Sequence, residues 1–166
     1  MGVFPDAEQR GARKNKADGN FAALTTKVRG HPTISPRRYL MPRARKDTAP
    51  ITVDTPWFQA RAVELGDFTV AFETLLEEKD PAPFFKGLPD DRCPCPHWGL
   101  VVSGRFTCRY RDHDETFEAG DVFYAAPGHL PGGTAWELIT FSPTVELGKV
   151  NAVLAKNRAR LQASQS

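Results

Sequence analysis

From Ile51 onward, apolar and polar residues alternate in short runs, each closed by Gly, Asp or Pro. WFQARAVEL and FTVAFETLLEE (residues 57–65 and 68–78) read as strands split by a Gly66-Asp67 turn, with Phe68, Val70 and Phe72 alternating onto one face. DPAPFFKGLPDD reads as a loop. HWGLVV, RFTCRY, ETFE, VFYAA and TAWELITF follow as further short strands, and Phe106, Cys108 and Tyr110 share one face of theirs. Strands this short and evenly spaced predict an antiparallel sandwich or barrel. The pattern then changes. Ser142-Pro143-Thr144 predicts a helix start, with a Ser cap, Pro at the first position and Glu146 in the first turn. Val145, Val150, Val153, Leu154 and Leu161 give this helix a partial apolar stripe, and Lys156, Arg158 and Arg160 suit the dipole at its C-terminal end.

Residues 1–50 show no sustained period and have few large apolar side chains, so they cannot bury enough surface to offset the entropy of ordering. The expected organisation is a basic, disordered leader over 1–50, a β-domain over 51–143, and a helix with a tail over 144–166. Charge follows the same division. The leader holds eleven Lys/Arg against four Asp/Glu, and the remainder holds eleven against sixteen, so a net +2 hides +7 and −5. The leader lacks the aromatic interleaving of a single-strand nucleic-acid binder, and reads as a solvated tail or a stretch ahead of a start at Met41. No signal peptide and no bilayer-length apolar run is present, which argues against a membrane protein and for the cytoplasm. The odd number of cysteines, three, then favours thiols as ligands or core residues over disulfides.

Candidate chemistry is concentrated between Asp91 and Pro131. In an extended chain Asp91, Cys93, Cys95 and His97 point to one face, and Pro94 and Pro96 between them make the stretch a stiff edge or bulge. Carboxylate, thiol, thiol and imidazole in a row form a metal site if another ligand arrives, and His129 in Ala126-Pro127-Gly128-His129 is the best candidate. Cys and His favour zinc or a late first-row metal, while a carboxylate with an open position also suits iron. Competing readings make Cys95 and Cys108 core residues, with His31 and His113 solvated. Glu137 is the carboxylate that could reach a barrel interior, although strand carboxylates usually face water. No glycine-rich phosphate loop, G-x-S-x-G elbow or HExxH pair occurs.

Over about residues 57–143 the chain resembles the cupin superfamily, whose first motif is G-x5-H-x-H-x3,4-E-x6-G and second G-x5-P-x-G-x2-H-x3-N. HWGLVVSGR is similar to the end of the first, closing on Gly104, and AGDVFYAAPGHLP to the second, opening on Gly120 with Pro127-Gly128 in its turn. Register against Gly104 puts His97 at the glutamate position, Cys93 at the second histidine and Asp91 at the first. In the second motif the histidine position falls on Pro131, with His129 two residues earlier. The resemblance implies an all-β, antiparallel jelly-roll barrel with a divalent metal, zinc or iron, held by Cys93, His97 and His129, and with Cys95 and Asp91 competing for a fourth place. It further implies a small-molecule ligand or substrate, a homodimer, and an oxygenase- or isomerase-type enzyme. The alternative is a non-catalytic cupin that binds a small ligand or a structural zinc. Trp98, Phe106, Tyr110, Phe123, Tyr124 and Trp136 are available to line the barrel or a dimer contact.

Overall fold

A computed structural model describes residues 42–164; His31 and the expected disorder of residues 1–41 lie outside the described residues. Seven strands form one antiparallel sheet: β1 (Ile51–Asp54), β2 (Phe58–Leu65), β3 (Phe68–Leu75), β4 (His97–Arg109), β5 (Asp114–Glu118), β6 (Val122–Ala125) and β7 (Leu130–Pro143). The order is β1-β2-β3-β7-β4-β5, with β6 also paired to β4. β7 takes one edge of β4, while β6 and β5 share the other, opposite His97–Leu100 and Arg105–Arg109 respectively. Among the described residues this ladder is open rather than a closed barrel. Residues of β1, β2, β3, β4, β6 and β7 nevertheless line one cavity, so the sheet curls around it.

The hairpins follow the turn residues. Gly66 adopts φ +65° between Leu65 and Phe68, which pair across the two-residue loop. The two segments HWGLVV and RFTCRY are a single strand in the structure. β4 continues through Ser103-Gly104 with irregular register against β7, because Gly104 (φ +77°) lies where any side chain would strike the Ala135 carbonyl. The stretch 80–91, expected as a loop, holds a helical turn, α1 (Ala82–Phe85), and a 3-10 turn at Pro89–Asp91. β1 precedes the first strand that the hydrophobic pattern predicts.

Both faces of β3 are covered. Val70 and Phe72 pack outward under Ala49, with Ala44, Leu65 and Ile139 alongside, while Phe68 stays exposed. The last residues of the expected leader are thus packed rather than free: Ala49 is buried, and its amide closes a turn on the Arg45 carbonyl at 2.9 Å. The opposite face of β3, Ala71, Glu73 and Leu75, looks into the cavity. There the main core joins Leu75, Val101, Phe106, Phe123, Trp136 and Leu138, with Cys108 fully buried among them as expected. Burying side chains of this size contributes about 1.5–3 kcal/mol each.

Helix α2 (Thr144–Ala163) lies over the cavity. Its inward stripe is Leu147, Val150 and Leu154, packed on Phe85 and Leu130, whereas Val145 is 66% exposed. Asn157, buried on the same face, donates to the carbonyls of Phe84 and Lys86 at 2.8 Å each, which ties α2 to α1.

Candidate metal centre

Three of the expected ligands meet. The thiol of Cys93 and one ring nitrogen each from His97 and His129 lie within 4.8 Å of one another. Cys93 and His129 are joined first by backbone. The Cys93 amide donates to the His129 carbonyl at 2.9 Å, and the Gly128 amide to the Cys93 carbonyl at 2.7 Å, beside the Pro127-Gly128 turn (Gly128 φ +97°). His97 opens β4 four residues later, with its Nε2 3.3 Å from Cys93 Sγ and its ring 5.1 Å from that of His129.

Each imidazole is oriented by its far nitrogen. His129 Nδ1 donates to the Ala126 carbonyl at 2.6 Å, which fixes the proton there and leaves Nε2 with a lone pair. Ala126 is held in turn by its own amide, which donates to Tyr110 Oη at 2.8 Å. His97 Nδ1 is 2.6 Å from Ser142 Oγ, a hydroxyl with 1% exposure. This is the arrangement in which a histidine ligates metal through Nε2 and is steadied through Nδ1. The spacing also fits: zinc at about 2.3 Å from sulfur and 2.0–2.1 Å from nitrogen sets a sulfur-to-nitrogen edge of roughly 3.6 Å. Thiolate and imidazole donors fit zinc or iron, and three ligands leave a position open.

Burial governs the electrostatics. The Cys93 thiol is pushed up to about 12 by desolvation, with the charge of Glu73 among the smaller contributions. His97 is lowered to about 3, by burial first and His129 second, and burial also lowers His129. Both imidazoles are therefore neutral and able to ligate at neutral pH.

Asp91 and Cys95 do not join the group. Asp91 sits in the 3-10 turn at φ +55°, exposed, and its Oδ1 accepts from the Gly87 amide at 2.7 Å. Alternation along an extended chain therefore does not reach back to it. Cys95 is fully buried, with Sγ 3.4 Å from the Pro96 carbonyl, and packs with Phe85, Leu130 and Val150. His113 is exposed as expected, stacked on Tyr110 with ring centroids 4.8 Å apart.

The three ligands border a cavity of about 370 Å³ between the concave sheet and α2. Small residues make the room: Ala60 and Ala62 on β2 and Ala71 on β3; Gly99 on β4 instead leaves space for the Phe123 ring. Phe106, Phe123 and Trp136 line the cavity, whereas Trp98 and Tyr124 lie outside it, 43% and 48% exposed. Glu137 faces outward and pairs with Lys46 at 2.8 Å. The inward carboxylate is Glu73, which accepts from Thr140 Oγ1 at 3.1 Å and is held above the usual carboxylate range by burial. Some of its surface remains open to the cavity, while surrounding protein shields it from bulk water. Ser142 and Glu73 were missed as site residues. A sign of Glu73 existed in its placement between Ala71 and Leu75 on one strand face.

Among the described residues no helix is long and apolar enough to cross a membrane. No protein-family model matches the chain, and no curated protein matches it. Among solved structures, a RmlC-like cupin from Shewanella frigidimarina aligns at 18% identity and a TM-score of 0.43, covering 60% of this chain and 88% of its own. A cupin-2 domain containing protein from the same organism aligns at 17% identity and a TM-score of 0.38, with 51% and 78% covered. KdgF from a Halomonas species aligns at 17% identity and a TM-score of 0.41, with 60% and 92% covered.

Proposed function

We propose that this chain is a small cupin that binds a divalent metal, zinc or iron, through Cys93, His97 and His129, and uses it on a small molecule held in the adjoining cavity. One observation carries this reading: three soft or borderline donors, brought from separate segments, converge within 4.8 Å beside a 370 Å³ space. A closed structural zinc site has four protein ligands, and among the described residues only three group here, which favours an open site. When bound, such a metal polarises a substrate oxygen or activates a bound small molecule. The thiolate donates charge and lowers Lewis acidity, so oxygenase or isomerase chemistry suits the site better than hydrolysis. The chain's own part is plain in its contacts. Ser142 and the Ala126 carbonyl fix the imidazoles, and the sheet and α2 bound the cavity.

A cytoplasmic homodimer completes the proposal. Phe68, Trp98, Tyr124 and Phe141 form an exposed apolar band on the outer sheet face, each 40–48% accessible, with Trp98 packed on Tyr124 at 5.2 Å and on Phe68 at 6.1 Å. A second copy laid on this band would bury it.

The test is metal content by plasma mass spectrometry, on protein purified without added metal. Near-stoichiometric zinc or iron in the wild type, lost in Cys93→Ser and His97→Ala, is the expected result. Only trace metal, the same in all three proteins, would remove the metal from this account.

A further inference from the structure

Glu73 is the acidic residue of the cavity lining. It sits in β3, two residues before its end, with Ala60 of β2 and Leu138 of β7 as its cross-strand partners. Ala60, Ala62 and Ala71 bring no polar group to it, and Thr140 occupies one of its oxygens. Among the described residues the other oxygen, Oε1, has no hydrogen-bond donor, yet it is not sealed off. A carboxylate accepts at about four lone-pair sites, so most of this capacity faces the cavity unmet. Trp57, Phe58, Phe106, Phe123 and Trp136 supply aromatic rings to the same lining, and ring faces attract cations.

The other charged groups oppose a different choice of ligand. Lys79 and Arg158 are the cationic side chains of the lining; Lys79 is exposed over the Trp57 ring at 5.6 Å, and Arg158 is partly exposed on α2. Among the described residues the side-chain partner of Glu73 is Thr140, and neither cation pairs with it. Glu73 is thus the acidic side chain turned into the cavity interior, and in the metal-free chain it disfavours a ligand anion.

We propose that Glu73, supported by Thr140, is the anchor of a binding site for a small organic amine whose apolar body fills the aromatic-lined cavity. This deepens the proposed function and rests on its cavity, not on its metal. The ammonium donates to Oε1, Thr140 keeps Oε2, and the aromatic walls take the apolar body. Desolvation, which makes an unpaired carboxylate unfavourable here, makes the paired one strong.

The experiment uses the full chain stripped of metal by a chelator, with benzylamine as the probe and benzyl alcohol and benzoate as controls of similar size. Binding is read from Trp57 and Trp136 fluorescence and by calorimetry. Benzylamine should bind roughly tenfold or more tighter than either control. Glu73→Gln should weaken benzylamine by roughly tenfold or more while leaving benzyl alcohol unchanged, and Thr140→Val should weaken benzylamine by a smaller factor. Should Glu73→Gln fail to fold by circular dichroism, Thr140→Val decides alone. Equal affinity of either variant and the wild type for benzylamine, benzoate binding as tight as benzylamine, or no binding of any probe would each overturn the proposal. Metal content is measured separately on the untreated wild type, so a missing metal and a missing amine site give different results.

Discussion

Replacing Ser142 with alanine separates two roles for one hydroxyl. Its place in Ser142-Pro143-Thr144 matches a helix cap, yet α2 receives no side-chain cap bond, and the hydroxyl lies 2.6 Å from His97 Nδ1 instead. Ser142→Ala therefore leaves a buried imidazole nitrogen without a partner, a loss of roughly 1–3 kcal/mol. It also frees the ring that presents Nε2 to the metal, and removing a partner of this kind lowers metal affinity by roughly 10–100-fold. A cap would behave differently: its loss costs about 1 kcal/mol and leaves metal affinity alone. Zinc affinity by competition with a chromophoric chelator gives the first quantity, and urea unfolding of the metal-free protein gives the second. A variant that is destabilised but binds zinc as the wild type does would refute the positioning role of Ser142.

Three further outcomes follow from the same contacts. Cys95→Ser puts a hydroxyl into the Phe85, Leu130 and Val150 cluster and should cost roughly 1–3 kcal/mol in urea unfolding, while both it and Asp91→Asn keep wild-type metal content; metal loss in either would restore that residue as a ligand. In metal-free protein, burial lowers His97 from 6.5 to about 3, so the unfolded chain takes a proton before the folded one does. The stability from neutral His97 is thus present above 6.5 and is lost as pH falls, by about 2 kcal/mol on reaching about pH 5. His129 has the same sign and Glu73, raised by burial, the opposite; to first order both cancel in the difference between the wild type and His97→Gln, and a pH-independent difference would contradict the burial. Trp98→Lys should convert a dimer to a monomer in sedimentation equilibrium, and an unchanged mass in the variant would rule out this face.

The sequence disclosed the strands best where one residue settles the geometry. Gly66 and Gly120 (φ +97°) stand in the hairpin turns that their spacing implied, and period two placed Phe106 and Cys108 inward. Cys93, His97 and His129 were readable as neighbours because thiol and imidazole are scarce in this chain and fall within the two glycine-marked motifs. Alternation failed at Asp91, where the backbone leaves the extended region, and at Cys95, where the run Cys93-Pro94-Cys95-Pro96 does not continue as a regular strand. Ser142 was misread because a local pattern satisfied the rule for a cap, while its actual partner lies 45 residues away in sequence. Glu73 was hidden for another reason. β3 is covered on both faces and its large residues Val70 and Phe72 point outward, so the alternation marks the face opposite to the one that carries the site.

X-ray absorption at the metal edge of the zinc-loaded chain of residues 1–166 reads the ligand shell itself. One sulfur at about 2.3 Å and two imidazole nitrogens at about 2.0–2.1 Å are expected, with a remaining light-atom ligand that the protein does not supply. Two or more sulfurs, a shell with no sulfur, or protein that holds no zinc would contradict a centre built from Cys93, His97 and His129.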